Sequence, residues 1–195
     1  MALGAPYITA DELRDYMSVT KERPEESEEF EAAVDSVSRE IESHCGRQFN
    51  DAGSPSPRTY LADFSGWTYV DDFHTAAGLV VSVDGTEWDP GDYALEPRNG
   101  VVNGQPGWPF YKIRPRGRAF RAGRTELTVT ARWGWEAVPD PVIQAAKILG
   151  AETFTLRTAP LGIVGVDDYG VARVRDSRMA ASKLAPYRHR RLLGG

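Results

Sequence analysis

A chain of 195 residues, 41% hydrophobic and 26% charged, suits one soluble globular domain or one domain carrying a sizeable insertion. No apolar run approaches membrane-spanning length, and no basic stretch followed by an apolar core opens the chain as a secretory leader would. The single Cys45 excludes an internal disulfide and points to a reducing compartment. The net charge of −5 is uneven: residues 1–100 hold 7 basic and 21 acidic side chains, and residues 101–195 hold 16 and 7.

In chain order, Thr9 and Glu12 form a capping-box pattern, which predicts a short helix from Ala10 to Met17. A polar loop containing Pro24 follows. Phe30, Val34, Val37, Ile41 and Cys45 then fall at helical spacing, predicting a helix from about Glu25 to His44 that Gly46 ends. Its other face is strongly acidic. The Gly-, Ser- and Pro-rich run Asn50–Pro57 marks a boundary.

The middle of the chain changes period. Thr59–Phe64, Thr68–Asp71, Leu79–Asp84 and Leu127–Trp133 read as strands, with Tyr93–Leu95 and Phe110–Ile113 as weaker ones. Asp84-Gly85 is a hairpin turn signal. Arg58–Trp135 therefore reads as a compact β module whose small core draws on Tyr60, Trp67, Tyr69, Trp88, Trp108 and Trp133. Asp140-Pro141 restarts helix, with Asp as cap and Pro in the first turn. That helix carries one apolar stripe of Val142, Ala146, Leu149, Thr153 and Leu156, and a second of Ile143, Gly150 and Phe154. A helix apolar on two sides needs two partners: its own domain and, on the other side, a neighbouring subunit. A Gly-rich loop from Ala159 to Gly170, a short basic helix ending at Tyr187 and an Arg-rich tail complete the chain.

The expected fold class is α+β. A helical-bundle body is made of the N-terminal helices with the C-terminal long and short helices, and a small antiparallel β module is inserted in it. The expected parts are 1–50, 58–135, 139–187 and a basic tail over 188–195.

Catalytic and metal signatures are weak. His44, His74 and His189 fall in different predicted elements, and one Cys with three unpatterned His does not make a zinc site. Cys45 reads as a small core residue, since a Cys45–His74 pair would lack an oxyanion loop. Asp71 and Asp72 are strand neighbours pointing to opposite faces. Asp167-Asp168 in the Gly-rich loop could meet a divalent ion, but no further ligand is identifiable. No phosphate-binding loop and no dinucleotide fingerprint is present.

Lys112, Arg114, Arg116 and Arg118 alternate at period two, with Arg121 and Arg124 after them. On a strand the first four share one face, suited to phosphates or an acidic protein. Pro115 and Gly117 favour an edge strand or extended loop there. A solvated hairpin is the simpler reading, and the acidic first half argues against a dedicated DNA binder.

Several segments, in their order along the chain, resemble the head-tail connector (adaptor) family of long-tailed bacteriophages. They are Tyr7-Ile8-Thr9, the helix end from Ile41 to Phe49, the Pro-initiated helix with Arg157, and Ala159-Pro160-Leu161-Gly162-Ile163. Tyr169-Gly170-Val171-Ala172-Arg173-Val174 and Leu184-Ala185-Pro186-Tyr187-Arg188 complete the set. The chain departs from the family pattern at Ala159 and over Ile163–Asp168. The resemblance implies a structural role without catalysis, cofactor or metal. A ring of about twelve copies would sit under the portal vertex, at the head-tail junction of the virion, extending a channel for DNA that passes without sequence specificity. It would be made in the host cytoplasm, touch no membrane, and dock a second neck or tail-completion protein.

The resemblance assigns portal docking to Tyr187, Arg188, Arg190 and Arg191. Ring contact falls to Ile143 and Phe154 with Leu161, Ile163 and Val166 of the loop. Charge alone favours the acidic and basic halves pairing within one chain; the resemblance favours pairing between copies. Rival readings are a DNA-binding protein using 112–124, an enzyme built on Cys45 or a carboxylate pair, and a tail-completion ring protein.

Overall fold

The computed structural model describes residues 4–19, 24–64, 66–117, 119–158, 174 and 176–189. The chain divides into two compact units, one formed by Met1–Phe49 with Val138–Gly195 and the other by Asn50–Ala137.

The first unit is helical: α1 Ala10–Tyr16, α2 Pro24–Cys45, α3 Asp140–Thr158 and α4 Arg178–Leu184, the last running into a 3-10 turn at Ala185–Tyr187. The Thr9–Glu12 capping box forms in both directions, at 2.8 and 3.1 Å. α2 ends at Gly46, where the N–H groups of Gly46 and Arg47 both donate to Glu42 O. Phe30, Val34, Val37, Ile41 and Cys45 are buried along one face, as their spacing predicts. On α3, Val142, Ala146, Leu149 and Thr153 are buried. Two of the three residues of its second stripe, Gly150 and Phe154, are covered by the same chain. Phe154 stacks on Phe30 of α2 at 4.0 Å, and Gly150 receives Leu13 of α1, whose methyls would stand 3.0 Å from an added Cβ. α4 packs on α3 as well. Gly150 and Phe154 of the second stripe thus find partners within one unit, while Ile143 is half-buried.

The second unit corrects the expected fold class. In place of a small β module on a helical-bundle body, the described residues hold seven strands in two antiparallel sheets, and strands dominate the core. They are β1 Ser56–Leu61, β2 Thr68–Phe73, β3 Val80–Val83, β4 Thr86–Glu87, β5 Tyr93–Glu96, β6 Phe110–Pro115 and β7 Glu126–Ala131. The sheet orders are β1-β7-β3-β4 and β2-β6-β5. Alternation explains the burial: Val81 and Val83 face Val129 and Leu127 on one side, and Val70 and Ile113 turn inward from the other sheet. Asp84-Gly85 closes β3 onto β4 with both residues at positive φ, as a two-residue hairpin turn requires.

Of the aromatics expected in the core, Trp133 alone is central, 1% exposed, with its indole N–H donating to Ser56 O at 2.8 Å. Tyr60 and Trp88 flank the core, and Trp108 pairs with Trp135 at 5.2 Å. Phe73, Tyr93 and Phe120 supply the rest. β6 is the central strand of its sheet, not an edge. Pro115 is tolerated because it sits at the end of the ladder, opposite Tyr93, past the last pairing with β2 at Ile113.

Candidate interaction surfaces

The C-terminal segment is seated at the C-terminal end of α2. His189 N–H donates to Cys45 O at 2.7 Å, which satisfies one of the last carbonyls of the helix. Tyr187 is buried and meets the edge of Phe49 at 5.9 Å, and Phe49 in turn meets Tyr7 at 5.7 Å. The Tyr7 hydroxyl accepts the Phe49 N–H at 3.1 Å and donates to Glu42 at 2.7 Å. Burial, and then the charge of Asp140, raise the Tyr187 hydroxyl above its usual pKa, so it stays neutral. Arg188 and His189 begin the expected basic tail, and both belong to this packed seat: His189 is buried and Arg188 half-buried. Of the expected docking residues, Tyr187 and Arg188 come together here; Arg190 and Arg191 lie outside the described residues.

The seat is electrostatically uneven. Cys45 is fully buried, and burial pushes its thiol up to about 12 although Arg47 and Arg188 pull the other way. A thiol held protonated at neutral pH behaves as a core group, not as a nucleophile. His44 is shifted down, first by burial and then by the Arg188 charge, with Glu40 opposing. A lowered folded-state pKa means that the unfolded chain binds more protons in that window. His44 therefore adds stability that is full above the unfolded value of 6.5 and is lost as pH falls toward and through the depressed value. Urea midpoints should drop over that acid window. His44→Gln should flatten this part of the curve, and an unchanged pH profile would show that His44 does not set it.

The ring-contact residues are divided. Ile143 is half-buried, Phe154 is spent on Phe30, and Leu161, Ile163, Val166 and the Asp167-Asp168 pair lie outside the described residues. Asp71 and Asp72 point to opposite faces as expected: Asp71 is exposed and binds Arg58 and Tyr60, whereas Asp72 is buried and accepts the Trp135 indole N–H at 2.8 Å. Among the described residues no group of three or more His, Cys, Asp or Glu is arranged to hold a metal. No helix of the described residues is long and apolar enough to cross a membrane.

The basic stretch is only partly a stripe. Lys112 and Arg114 share a face of β6 opposite buried Ile113. Lys112 Nζ lies over Trp67 at 4.9 Å and Tyr69 at 5.7 Å, and Arg114 pairs with Glu96 at 3.6 Å. Arg116 follows the strand, its N–H donating to Asp92 O at 2.7 Å; Arg118 lies outside the described residues. The charge asymmetry of the chain halves also largely dissolves. The helical unit takes acidic residues from the first half and basic ones from the second, giving 14 basic against 17 acidic, and the β unit holds 9 against 11. Contacts such as Lys147–Glu12 and Val174 N–H to Glu40 join the two halves within the helical unit.

Two features went unread in the sequence. The seat formed by Tyr7, Phe49 and the Cys45 carbonyl joins residues from both chain ends, and no local pattern announces it. The exposed Leu61 and Phe64 at the β1–β2 tip fall within the predicted strand Thr59–Phe64, and Phe64 and Trp67 form an isolated antiparallel bridge there.

No protein-family model and no curated protein matches the chain. Its fold is similar along its whole length to that of a chain in the neck of an empty gene transfer agent (GTA) particle computed with C6 symmetry. The TM-score is 0.58 and the identity 16%, covering 100% of this chain and 96% of that one. A chain of the virion of a native gene transfer agent particle gives a TM-score of 0.54 at 17% identity, with the same coverage. The two-unit fold is therefore one found in particle-neck and virion chains.

Proposed function

We propose that the chain is a structural neck protein of a phage-like particle. In this reading it is a head-tail adaptor that forms a ring beneath the portal vertex, extends the DNA channel and docks the next neck or tail protein. The observation that carries it is the end-to-end likeness to a particle-neck chain, reached by a sequence resemblance that also pointed to the neck. A ring of about twelve copies is compatible with the sixfold symmetry under which that neck was computed. The work is mechanical and needs no catalytic step. Many modest contacts repeated by symmetry supply avidity. The seat on α2 supports the docking role of the C-terminus, because it holds Arg188 at a fixed start for the basic residues that follow.

Cryo-electron microscopy of purified particles tests the reading. A closed ring of this chain between portal and tail supports it, and absence from the particle overturns it. Charge reversal of Arg188, Arg190 and Arg191 together should weaken portal binding by at least about tenfold, since charged pairs across interfaces are worth more than a kcal/mol when desolvated. Unchanged binding in a pull-down titration would remove the docking role from the tail.

A further inference from the structure

The β1–β2 tip leaves apolar side chains outside the fold. Leu61 and Phe64 are 59% and 50% exposed. Phe64 rests on Trp67 at 5.0 Å, and Lys112 lies on that indole. The turn over 121–125 is fastened alongside: Ala62 N–H donates to Thr125 O at 2.9 Å, and Gly123 N–H donates to Ala62 O at 2.8 Å. This turn holds Arg121 and Arg124 exposed, and neither guanidinium has an ion-pair partner among the described residues. Glu126 stands opposite Leu61 across the ladder, its N–H donating to the Asp84 carboxylate at 2.8 Å, and Asp63 lies between Ala62 and Phe64 in the chain. Apolar anchors rimmed by charge are the anatomy of a protein contact.

The complementary surface is on the same chain. Glu28, Glu31 and Asp35 fall at helical spacing on one exposed stripe of α2, with half-buried Ala32 among them. None of the three carboxylates has an ion-pair partner among the described residues. We propose that these two surfaces form one head-to-tail contact between copies of this chain, with Leu61, Phe64, Arg121 and Arg124 of one copy receiving the α2 stripe of the next. This deepens the ring reading and rests on it. A contact between different surfaces of identical chains is the kind that propagates around a ring. A second copy fits better than nucleic acid. Aliphatic Leu61 offers no stacking face for a base, and a chain of net charge −5 repels a polyanion while carrying its own matching anionic helix.

A charge swap tests the contact. Sedimentation equilibrium of the full chain is run on the parent, on Arg121→Glu/Arg124→Glu, on Glu31→Arg/Asp35→Arg, and on an equimolar mixture of the two variants. The parent should associate in a salt-sensitive way. Each variant alone should lose at least about tenfold in association, and the mixture should recover it, since alternating copies restore opposite charge at every contact. Phe64→Ser should weaken association with no change in salt dependence. A parent that stays monomeric to about 1 mM, variants that associate like the parent, or a mixture without recovery would each overturn the proposal. So would loss of single-stranded DNA binding in Arg121→Glu/Arg124→Glu with self-association intact, which would assign the face to nucleic acid. Particle imaging separates the two readings. A ring with a failed swap removes this contact alone, whereas absence of the chain from the particle removes the ring.

Discussion

Gly134→Ala is expected to unfold the β unit under conditions where the parent chain is folded. Gly134 stands at φ +96°, a region that side-chain-bearing residues rarely adopt, and an added Cβ would lie 1.7 Å from Asn50 O and 2.7 Å from its carbonyl carbon. The opposing backbone cannot step aside freely. Ala52 N–H donates to Trp133 O at 2.8 Å, and Gly134 N–H donates to Asp72 O at 2.6 Å. Asp51 is held as well by Arg132, whose guanidinium keeps its carboxyl below the usual range. Relief must therefore disturb Trp133, which bridges Phe73 at the centre of the core. The loss should be about 3 kcal/mol or more, seen as a lower urea midpoint in tryptophan fluorescence. A midpoint matching the parent would show that the backbone there accommodates a methyl.

Phe49→Ala should destabilise the helical unit by about 3–5 kcal/mol and free the C-terminal segment from its seat. Phe49 is fully buried, its ring lies between Tyr7 and Tyr187, and its N–H donates to the Tyr7 hydroxyl. Truncation removes the surface on which Tyr187 rests. Hydrogen exchange of the His189 amide, bonded to Cys45 O, should then accelerate, and trypsin should cut after Arg188 more readily than in the parent. Phe49→Leu, which keeps most of the volume, should lose less stability and keep most of that protection. Lower stability with His189 protection matching the parent's global loss alone would show that the seat does not depend on Phe49 locally.

How far the chain could be read varies with the range of the interactions involved. The capping box, the apolar face of α2, the Asp84-Gly85 hairpin and six of the seven strands were legible, because each is written in neighbouring residues. The two-residue strand β4 was not, since Thr86 and Glu87 carry no alternation of their own. The scale of the β part is not written in any one segment. Its strands are short and its core residues are single positions such as Phe73, Tyr93 and Phe120, so no segment shows by itself how much it buries with the others. Pro115 suggested an edge strand, yet its place at a ladder end removes the penalty that made an edge attractive.

The candidate surfaces divide along the same line. Sequence alone placed the basic stretch, the acidic helix and the Arg-rich end, because charge type and helical or strand period are local properties. It also carried the order of motifs that resembles the connector family. Only the tertiary structure decided which of these charges remain unspent. Folding drew the acidic first half and the basic second half into the same helical unit and set Arg114 on Glu96. The guanidinium groups of Arg121 and Arg124 were left free of ion pairs among the described residues. It likewise decided that Phe154 of the second α3 stripe packs on Phe30 within the helical unit and that Tyr187 and His189 are packed rather than trailing. The reason is physical. Charge and periodicity are fixed residue by residue, whereas pairing and burial depend on contacts between residues tens of positions apart, as between Phe49 and Tyr187.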